Sequence, residues 1–303
     1  MKIGLVIPTY NAGEKFISLL ESIKQQSYQI ERKVVIDSNS TDETVCLAKR
    51  YDYEVIRIAK REFNHGRTRQ LAVEYLSDMD IIVFITQDVI FADACGIERL
   101  VAAFTDEPVG AAYGRQLPHF NASAMAAQAR LFNYPKVSKV KSYENKTELG
   151  IKTAFMSDSF AAYRVNALRA VNGFPSNIIV SEDMYVAAKM LMQSYKIAYV
   201  ADAKVYHSHD YTLLQELRRY FDTGVFQSRE NWIGREFGKA EGEGVKLVLD
   251  QLKYLYHHDV FAIPKAILAN VVKFIGYKLG YYEKYLPVSL KRILSGQPYY
   301  FIR

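Results

Sequence analysis

Cysteine, tryptophan and long uncharged hydrophobic runs are scarce in this chain. It has one tryptophan and only two cysteines, Cys46 and Cys95, which lack metal-ligand spacing. A disulfide framework and a cysteine-based zinc site are therefore excluded, and we expect buried thiols in a reducing cytoplasm. No stretch of 18 or more residues is free of charge, so we expect no transmembrane helix. An apolar segment begins at Ile3, which leaves no room for a signal peptide and predicts a cytoplasmic protein.

What the chain does have is enough length and apolar content for a large core. Its 303 residues are 50% hydrophobic and 24% charged, as in an ordinary folded protein. This size allows one large α/β domain with an appendage.

The net charge of +6 is concentrated at the C-terminal end. From Lys246 onward there are nine basic and three acidic residues, which accounts for the whole excess, and the same stretch is rich in tyrosine and phenylalanine. Basic, aromatic, amphipathic helices suit an anionic membrane surface. A solvated helical tail packed on the main domain explains the pattern equally well. Nucleic acid is the weaker third reading, because no binding motif accompanies the charge.

The first half of the chain alternates strands and helices. Apolar runs predict strands at residues 3–7, 33–37, 54–58 and 81–85, and helical periodicity predicts helices at residues 14–26, 44–51 and 67–76. This order predicts βαβ units and a mostly parallel central sheet flanked by helices. Ser40, Thr41 and Asp42 are candidate caps for the second helix.

The second half is less regular. We predict strands at residues 110–117, 159–163 and 197–200, helices at 122–132, 165–171 and 184–193, and a polar loop at 137–152. Residues 234–244 contain four glycines and form the best linker candidate. The predicted domains are residues 1–233, which would bind nucleotide and catalyse, and a basic aromatic helical tail at residues 245–303.

The most informative feature is the sequence Thr86-Gln87-Asp88, which follows a fully apolar strand. A carboxylate at the carboxyl end of a buried strand lies where open α/β sheets bind ligands. One carboxylate together with a substrate diphosphate is a common way to hold Mg²⁺ or Mn²⁺. Taken alone, Asp88 reads more simply as the cap of a strand-to-loop turn.

Other polar residues occur at comparable positions. Tyr10 follows the first strand and offers a ring face for a base, and Asp37 or Ser38 at the end of the second strand can bond the polar edge of that base. Glu182 and Asp183 open a helix, where they are either dipole partners or a general base.

Histidines add two more candidate sites. His207 and His209 follow a strand and alternate, so we expect one to face the site and the other to face away; a structural histidine is the alternative. His65 and Gly66 open a helix whose free amides, with the nearby arginines, suit a phosphate, or they form a solvated basic turn.

Together, in order, these motifs resemble the inverting GT-A glycosyltransferases of family two over roughly residues 1 to 210. The motifs are residues 7–11, residues 37–42, residues 86–88 and the pair Glu182-Asp183. Residues 63–69, Thr86-Gln87-Asp88 and His207-Ser208-His209 resemble more narrowly the bacterial rhamnosyltransferase branch, which uses dTDP-rhamnose.

The resemblance implies a GT-A, Rossmann-like fold and a role for each matching residue. Asp183 would be the general base, Asp88 and His207 metal ligands, and Asp158 and Glu182 would shape the acceptor side. The residues implied to bind the nucleotide sugar are Thr9, Tyr10, Asp37, His65, Gly66, Arg69, Gln87 and Asp88. Three positions depart from the family pattern: Thr86 replaces an acid, Ser38 replaces a second acid, and Lys189 replaces an arginine.

The predicted function is metal-dependent transfer of a sugar, L-rhamnose from dTDP-rhamnose, in cell-surface polysaccharide synthesis. The partners would be a nucleotide-sugar donor, a glycan or lipid-linked glycan acceptor and an anionic membrane surface, with no nucleic acid. The location would be cytoplasmic, peripheral on the inner face of the plasma membrane. A UDP- or GDP-linked donor, a sugar nucleotidyltransferase and a non-catalytic scaffold are the alternatives, although residues 11–15 lack the glycine-rich, basic phosphate loop of a nucleotidyltransferase.

Overall fold

A computed structural model describes residues 1–238 and 241–302 of the chain. Its strands are β1 Ile3–Thr9, β2 Arg32–Asp37, β3 Glu54–Arg57, β4 Ile81–Ile85, β5 Ile90–Phe91, β6 Val109–Leu117, β7 Lys139–Lys141, β8 Phe160–Arg164 and β9 Lys196–Tyr206. Its helices are α1 Lys15–Lys24, α2 Thr44–Arg50, α3 His65–Tyr75, α4 Gly96–Ala102, α5 Ala124–Asn133, α6 Lys146–Leu149, α7 Val165–Ala170, α8 Glu182–Met192, α9 Leu213–Arg229, α10 Asn231–Phe237, α11 Glu241–His258, α12 Ile263–Tyr281 and α13 Val288–Leu294. Short 3-10 helices lie at Lys60–Glu62, Ala103–Thr105, Tyr143–Asn145, Gly150–Thr153, Val260–Ala262, Glu283–Tyr285 and Pro298–Ile302.

One sheet organises the molecule, in the order β3-β2-β1-β4-β8-β6-β9-β5, with β7 paired to β9. The pairs among β1, β2, β3 and β4 are parallel, as the alternation of strands and helices predicts. Strand β8 runs antiparallel between β4 and β6, and β6 is parallel to β9. The fold is thus the predicted α/β sheet, parallel in its first half and mixed in its second.

Two apolar layers cover the two faces of the sheet. Successive residues of β1 alternate between them: Leu5 and Ile7 pack with α1, whereas Val6 packs with residues of α3 and α8. All five residues of β4 are buried, which explains why its sequence is continuously apolar instead of alternating.

Strand pairing brings the chemically interesting residues to one edge of the sheet. Because β1, β2 and β4 are parallel, their carboxyl ends lie together. Ile85 pairs with Phe160 in the antiparallel β4–β8 ladder, so residues 86–88 lie beside residues 157–159. The edge therefore collects the end of β4 and the loop that precedes β8.

The C-terminal helices pack on α9 and α5, and α12 makes a close backbone contact with α9. A Cβ atom at Gly280 would lie 1.9 Å from the carbonyl oxygen of Phe221, and one at Gly276 would lie 2.5 Å from that of Leu217. Only glycine permits this approach. The contact fixes α12 to the main body of the protein.

Several sequence predictions need correction at the level of elements. The predicted polar loop at 137–152 contains β7, α6 and two 3-10 helices. In the predicted linker, residues 234–237 belong to α10 and residues 241–244 to α11, while residues 239–240 lie outside the described part. Cys46 is exposed and Cys95 half-buried, so the expectation of buried thiols was wrong. The division into two domains stays a prediction.

The expectation that no helix could cross a membrane also needs revision. Within the part of the chain that the structure describes, one helical segment, Val260–Tyr281, has the length and apolar composition to do so. It contains three lysines, which is why a search for uncharged stretches passed over it.

Candidate active site

Three metal-ligating side chains converge at the sheet edge: Asp88, His207 and His209. Their ligand atoms all lie within 4.8 Å of one another. The Nε2 atoms of His207 and His209 are 2.9 Å apart, and they lie 3.5 Å and 3.2 Å from the two carboxylate oxygens of Asp88. Two imidazoles and a carboxylate meeting at one point form a donor set that suits a divalent cation.

The surroundings of His207 fix which ring nitrogen faces the other two ligands. Its Nδ1 lies 2.8 Å from Oε1 of Gln116, and the same oxygen accepts a hydrogen bond of 2.8 Å from Arg130. The arginine orients the Gln116 amide so that its oxygen faces the imidazole, and Nδ1 must then carry the proton. Nε2 is left with its lone pair directed towards Asp88 and His209, as a metal ligand requires.

Electrostatics at this triad favour a charged carboxylate at Asp88 and a neutral imidazole at His209. Burial alone would raise the pKa of Asp88, but its contacts with His207 and His209 outweigh burial and hold the pKa well below its usual range. Burial is the main cause that lowers the pKa of His209 to about 4. Both states are those in which these groups bind metal.

The expectation that the two histidines face opposite ways was wrong. Residues two apart along an extended segment share a face, and here it is Ser208 that points away. The Ser208 hydroxyl accepts a hydrogen bond from the backbone N–H of His119. The role of His207 as a ligand stays a prediction, now joined by His209.

The loops after β1 and β2 are joined by a network around Asp37. The carboxylate of Asp37 accepts hydrogen bonds from the backbone and hydroxyl of Ser40, and from the hydroxyl of Thr9 at 3.2 Å. In return, Ser40 accepts from the backbone N–H of Asn11. Thr9 and Asp37 are buried and hold the two loops together, so this is the contact the structure shows for them. Their implied contact with a nucleoside stays a prediction.

Tyr10 faces outward from this region. The Gln87 side chain binds the backbone of Tyr10. Its Oε1 accepts from the Tyr10 N–H at 2.8 Å, and its Nε2 donates to the Tyr10 carbonyl at 3.2 Å. Lys60 donates to the Tyr10 hydroxyl and lies 4.2 Å from the ring centroid. Gln87 thus links the end of β4 to Tyr10, whose exposed ring stays the predicted platform for a base.

A buried charge cluster lies next to this edge, around Arg69. Arg69 is 4% exposed, and its guanidinium group pairs with Asp158 at 2.7 Å and with Glu182 at 2.6 Å. The Tyr163 hydroxyl also donates to Asp158. Arg69 therefore neutralises two buried carboxylates, and the implied contact of Arg69 with the nucleotide stays a prediction, as does a direct acceptor contact of Asp158 or Glu182.

Asp183 adjoins that cluster without being paired to the arginine. Its carboxylate accepts from the backbone N–H groups of Met184 at 2.7 Å and of Asp158 at 3.2 Å. Burial and the neighbouring carboxylates of Asp158 and Glu182 raise the pKa of Asp183 well above its usual range. Burial and Glu182 likewise raise the pKa of Asp158 to about 6, although Arg69 opposes them. A carboxylate with a raised pKa is well matched to accept a proton near neutral pH.

Hydrogen bonds and one peptide bond connect Asp183, the candidate base, to the triad. Gln116, which bonds His207, donates to the Ser157 hydroxyl at 2.9 Å, and Ser157 is adjacent in sequence to Asp158, whose N–H binds Asp183. The backbone before Asp183 is unusual, because Ser181 has a left-handed φ of 64° and does not cap the helix. Strained residues of this kind cluster at functional sites.

The start of α3, around His65 and Gly66, is held by contacts with other parts of the chain. Asn64 caps α3 by accepting from the backbone N–H of Arg67, and it donates to the carbonyl of Ile178. A Cβ at Gly66 would lie 1.9 Å from the carbonyl oxygen of Pro175, so this glycine permits the turn to pack on the helix start. Phosphate binding by His65 and Gly66 stays a prediction.

A cavity of about 350 Å³ opens beside the triad, between α5, α9, α11 and α12. His209, Tyr211 and Arg130 line the side nearest the triad. Arg219, Lys265 and Lys273 line the remainder together with Asp210 and Glu216, so basic groups predominate. Asp88 and Asp183 are not among the described lining residues.

Comparison with known proteins assigns the family. The model of the family "Glycosyl transferase family 2" matches residues 5–171, more than half of the chain. The chain belongs to glycosyl transferase family 2. The resemblance noted in the sequence is thereby confirmed, and with it the assignment of the chain as a glycosyltransferase.

Two curated members of the family match nearly the full length. The O-antigen chain rhamnosyltransferase RfbN of Salmonella typhimurium is 49% identical over 97% of this chain and 94% of its own length. The O-antigen chain rhamnosyltransferase WbaN of Salmonella anatum is 45% identical over 96% of this chain and 93% of its own.

Solved structures share the fold. A mannosyltransferase from Pyrobaculum calidifontis, in complex with GDP-Man and Mn²⁺, has a TM-score of 0.58 and 19% identity, covering 99% of this chain and 85% of its own. TarS of Staphylococcus aureus has a TM-score of 0.56 and 16% identity, covering 94% and 91%. At these identities the likeness shows the fold alone, and it confirms the predicted GT-A class.

The structure shows the surroundings of the three residues that depart from the expected family pattern. Thr86 stands where the resemblance implies a second acid, and His207 and His209 bring two further candidate ligand atoms to Asp88. The Lys189 ammonium lies 5.2 Å from the ring centroid of Trp232 and 5.7 Å from that of Tyr185, which is a cation–π environment. Ser38 is buried.

Sequence reasoning missed Gln116 and Arg130. Neither belongs to a recognisable motif, and they meet His207 only because β6 lies beside β9 and α5 follows β6. A polar pair on a buried strand and the next helix was the one available signal.

Proposed function

We propose that this chain is an inverting rhamnosyltransferase that transfers L-rhamnose from dTDP-rhamnose to a glycan acceptor in the synthesis of a cell-surface polysaccharide. One observation carries the proposal: 49% identity over nearly the full length to a curated O-antigen chain rhamnosyltransferase. The triad of Asp88, His207 and His209 supports it, because three groups that could hold a cation meet at the edge where open α/β sheets bind ligands.

The triad would hold Mn²⁺ in preference to Mg²⁺. Magnesium prefers oxygen ligands and retains its waters, whereas imidazole nitrogens suit transition metals. The bound ion would supply Lewis-acid stabilisation of the departing diphosphate.

Asp183 would act as the base. As the acceptor hydroxyl oxygen forms its bond to the anomeric carbon, its proton passes to a carboxylate oxygen of Asp183, and the bond between that carbon and the diphosphate oxygen breaks. The two backbone N–H groups on the carboxylate keep it oriented. The acceptor would enter by the cavity beside His209, where tyrosine rings and basic side chains suit a sugar chain attached to a phosphate.

A donor panel tests this proposal. The purified chain would be incubated with Mn²⁺, rhamnose-terminated or galactose-terminated glycan acceptors, and dTDP-rhamnose, UDP-glucose or GDP-mannose in turn. We expect dTDP release and a rhamnosylated product of inverted anomeric configuration from dTDP-rhamnose alone. Turnover of the UDP or GDP sugar in preference would contradict the donor assignment, and retained configuration would contradict the inverting mechanism.

A further inference from the structure

Helix α12 and the 3-10 turn before it carry an exposed apolar stripe, formed by Phe261, Ile267, Leu268, Val271, Phe274 and Ile275. These residues recur at intervals of three, four and seven, which places them along one side of a helix. Phe261 is 92% exposed and Phe274 is 61% exposed. A soluble surface rarely leaves so continuous a row of large apolar side chains uncovered.

We propose that this stripe rests in the interface of an anionic lipid bilayer, so that the C-terminal helices hold the enzyme on the membrane surface. Charge selects this occupant over a second protein. Lys253 and Lys265 are exposed on α11 and α12, Lys284 is exposed just beyond, and Lys278 lies over the ring of Phe274. Apolar and aromatic groups flanked by lysines are the composition that anionic membranes attract.

The helix lies on the bilayer and does not cross it. Its opposite side is fixed to α9 by the backbone contacts at Gly276 and Gly280, and α9 belongs to the main body of the protein. A span would also place Lys265, Lys273 and Lys278 in the hydrocarbon, and Lys273 is paired with Glu216 of α9. A helix that lies flat on the membrane buries the apolar stripe and keeps the lysines out of the hydrocarbon.

In this orientation, α12 contacts the bilayer with its stripe and also lines the cavity. Leu247 and Gln251 of α11 and Lys265 and Ala269 of α12 line the cavity that His209 also lines. An acceptor anchored in the same bilayer would reach the triad without leaving the membrane surface. That last step rests on the proposed function, whereas membrane binding does not, so the two can fail separately.

Vesicle flotation of the full chain tests the proposal without any activity measurement. We expect the protein to float with vesicles of phosphatidylcholine plus phosphatidylglycerol, to float less with phosphatidylcholine alone, and to be released by alkaline carbonate. Phe261→Glu and Phe274→Glu should each weaken binding about tenfold, because each removes one large apolar side chain from the interface.

Val137→Glu is the matched control, since Val137 is also exposed but lies outside the stripe. It should float like the wild type, and circular dichroism should show all three variants folded. The proposal is overturned by a wild type that does not float, by glutamate variants that float equally well, or by resistance to carbonate. A concentration-dependent dimer that the same glutamates dissociate, without vesicle binding, would assign the stripe to a second copy.

Discussion

Individual side chains at this site depend on neighbours that the motifs do not contain. His207 can act as a ligand only with its proton on Nδ1, and that tautomer depends on Gln116, which in turn depends on Arg130. Such outer partners commonly change metal affinity by about 10- to 100-fold.

Gln116→Leu should therefore weaken Mn²⁺ binding by about tenfold or more while leaving the fold intact. Leucine keeps the volume but removes the acceptor for the Nδ1 proton of His207. Electron paramagnetic resonance of Mn²⁺, or competition calorimetry, would measure this loss of affinity.

Gln128→Leu is a useful control. Gln128 is buried, as Gln116 is, but it lies on α5 and donates a hydrogen bond to Asp250. It should bind Mn²⁺ as the wild type does. Equal Mn²⁺ affinities of the Gln116→Leu variant and the wild type would show that Gln116 does not support the metal site.

The base assignment predicts a pH dependence whose sign follows from the neighbours of Asp183. Because burial and two carboxylates raise its pKa, the acid form persists to higher pH than in an ordinary aspartate, and kcat/KM should rise with pH through an inflection above the usual value of about 3.9. Glu182→Gln removes one of the two neighbouring charges and should move the inflection to lower pH.

Asp183→Asn should abolish transfer yet retain dTDP binding, measured by calorimetry on the same preparation. Glu31→Gln, an exposed acid elsewhere, should leave the pH profile unchanged. Full activity of Asp183→Asn would refute the base role.

At the scale of elements, α9 is joined to the C-terminal segment through a buried carboxylate. Asp222 accepts from the hydroxyl of Ser295 at 2.5 Å and from the backbone N–H of Gly296 at 2.9 Å. Burial raises the pKa of Asp222 to about 7, although these hydrogen bonds oppose it.

The folded state consequently binds this proton more tightly than the unfolded state. Stability from this group is fully present below about pH 4 and is lost as pH rises towards 7, at roughly 1.4 kcal/mol for each unit of pKa difference. Asp222→Asn, which can still bond both partners, should flatten this dependence.

Thermal unfolding of both forms at about pH 5 and about pH 8 measures the effect. Relative to the wild type, the Asp222→Asn variant should be more stable to heat at about pH 8 than it is at about pH 5. A constant difference between the two forms across this range would show that Asp222 does not titrate on folding.

The elements also show how far sequence alone could reach. Strands β1 to β4 were predictable because each is a short apolar run between amphipathic helices. The insertion of β8 antiparallel between β4 and β6, and the length of β9, depend on long-range pairing that no local pattern contains. Asp88 was found because its strand ends in a motif, whereas Gln116 contributes only through the position of its strand.

At the scale of the whole molecule, the sheet edge, the cavity and the C-terminal helices form a continuous region. Tyr10 and the triad lie where the donor would bind, Asp183 is connected to the triad through Gln116 and Ser157, and the cavity leads from His209 to α12. Helices that the sequence presented as a separate tail are therefore also a wall of the cavity.

Calorimetric titration of dTDP into the full chain, with Mn²⁺ or with EDTA, tests the central claim most directly. The account predicts that Mn²⁺ tightens dTDP binding at least about tenfold in the wild type, more than Mg²⁺ does, and that Asp88→Ala and His209→Ala each remove this gain. Asp88→Ala should also abolish transfer. The same dTDP affinity with and without Mn²⁺, or an undiminished gain in both variants, would contradict a metal-dependent donor site at the triad.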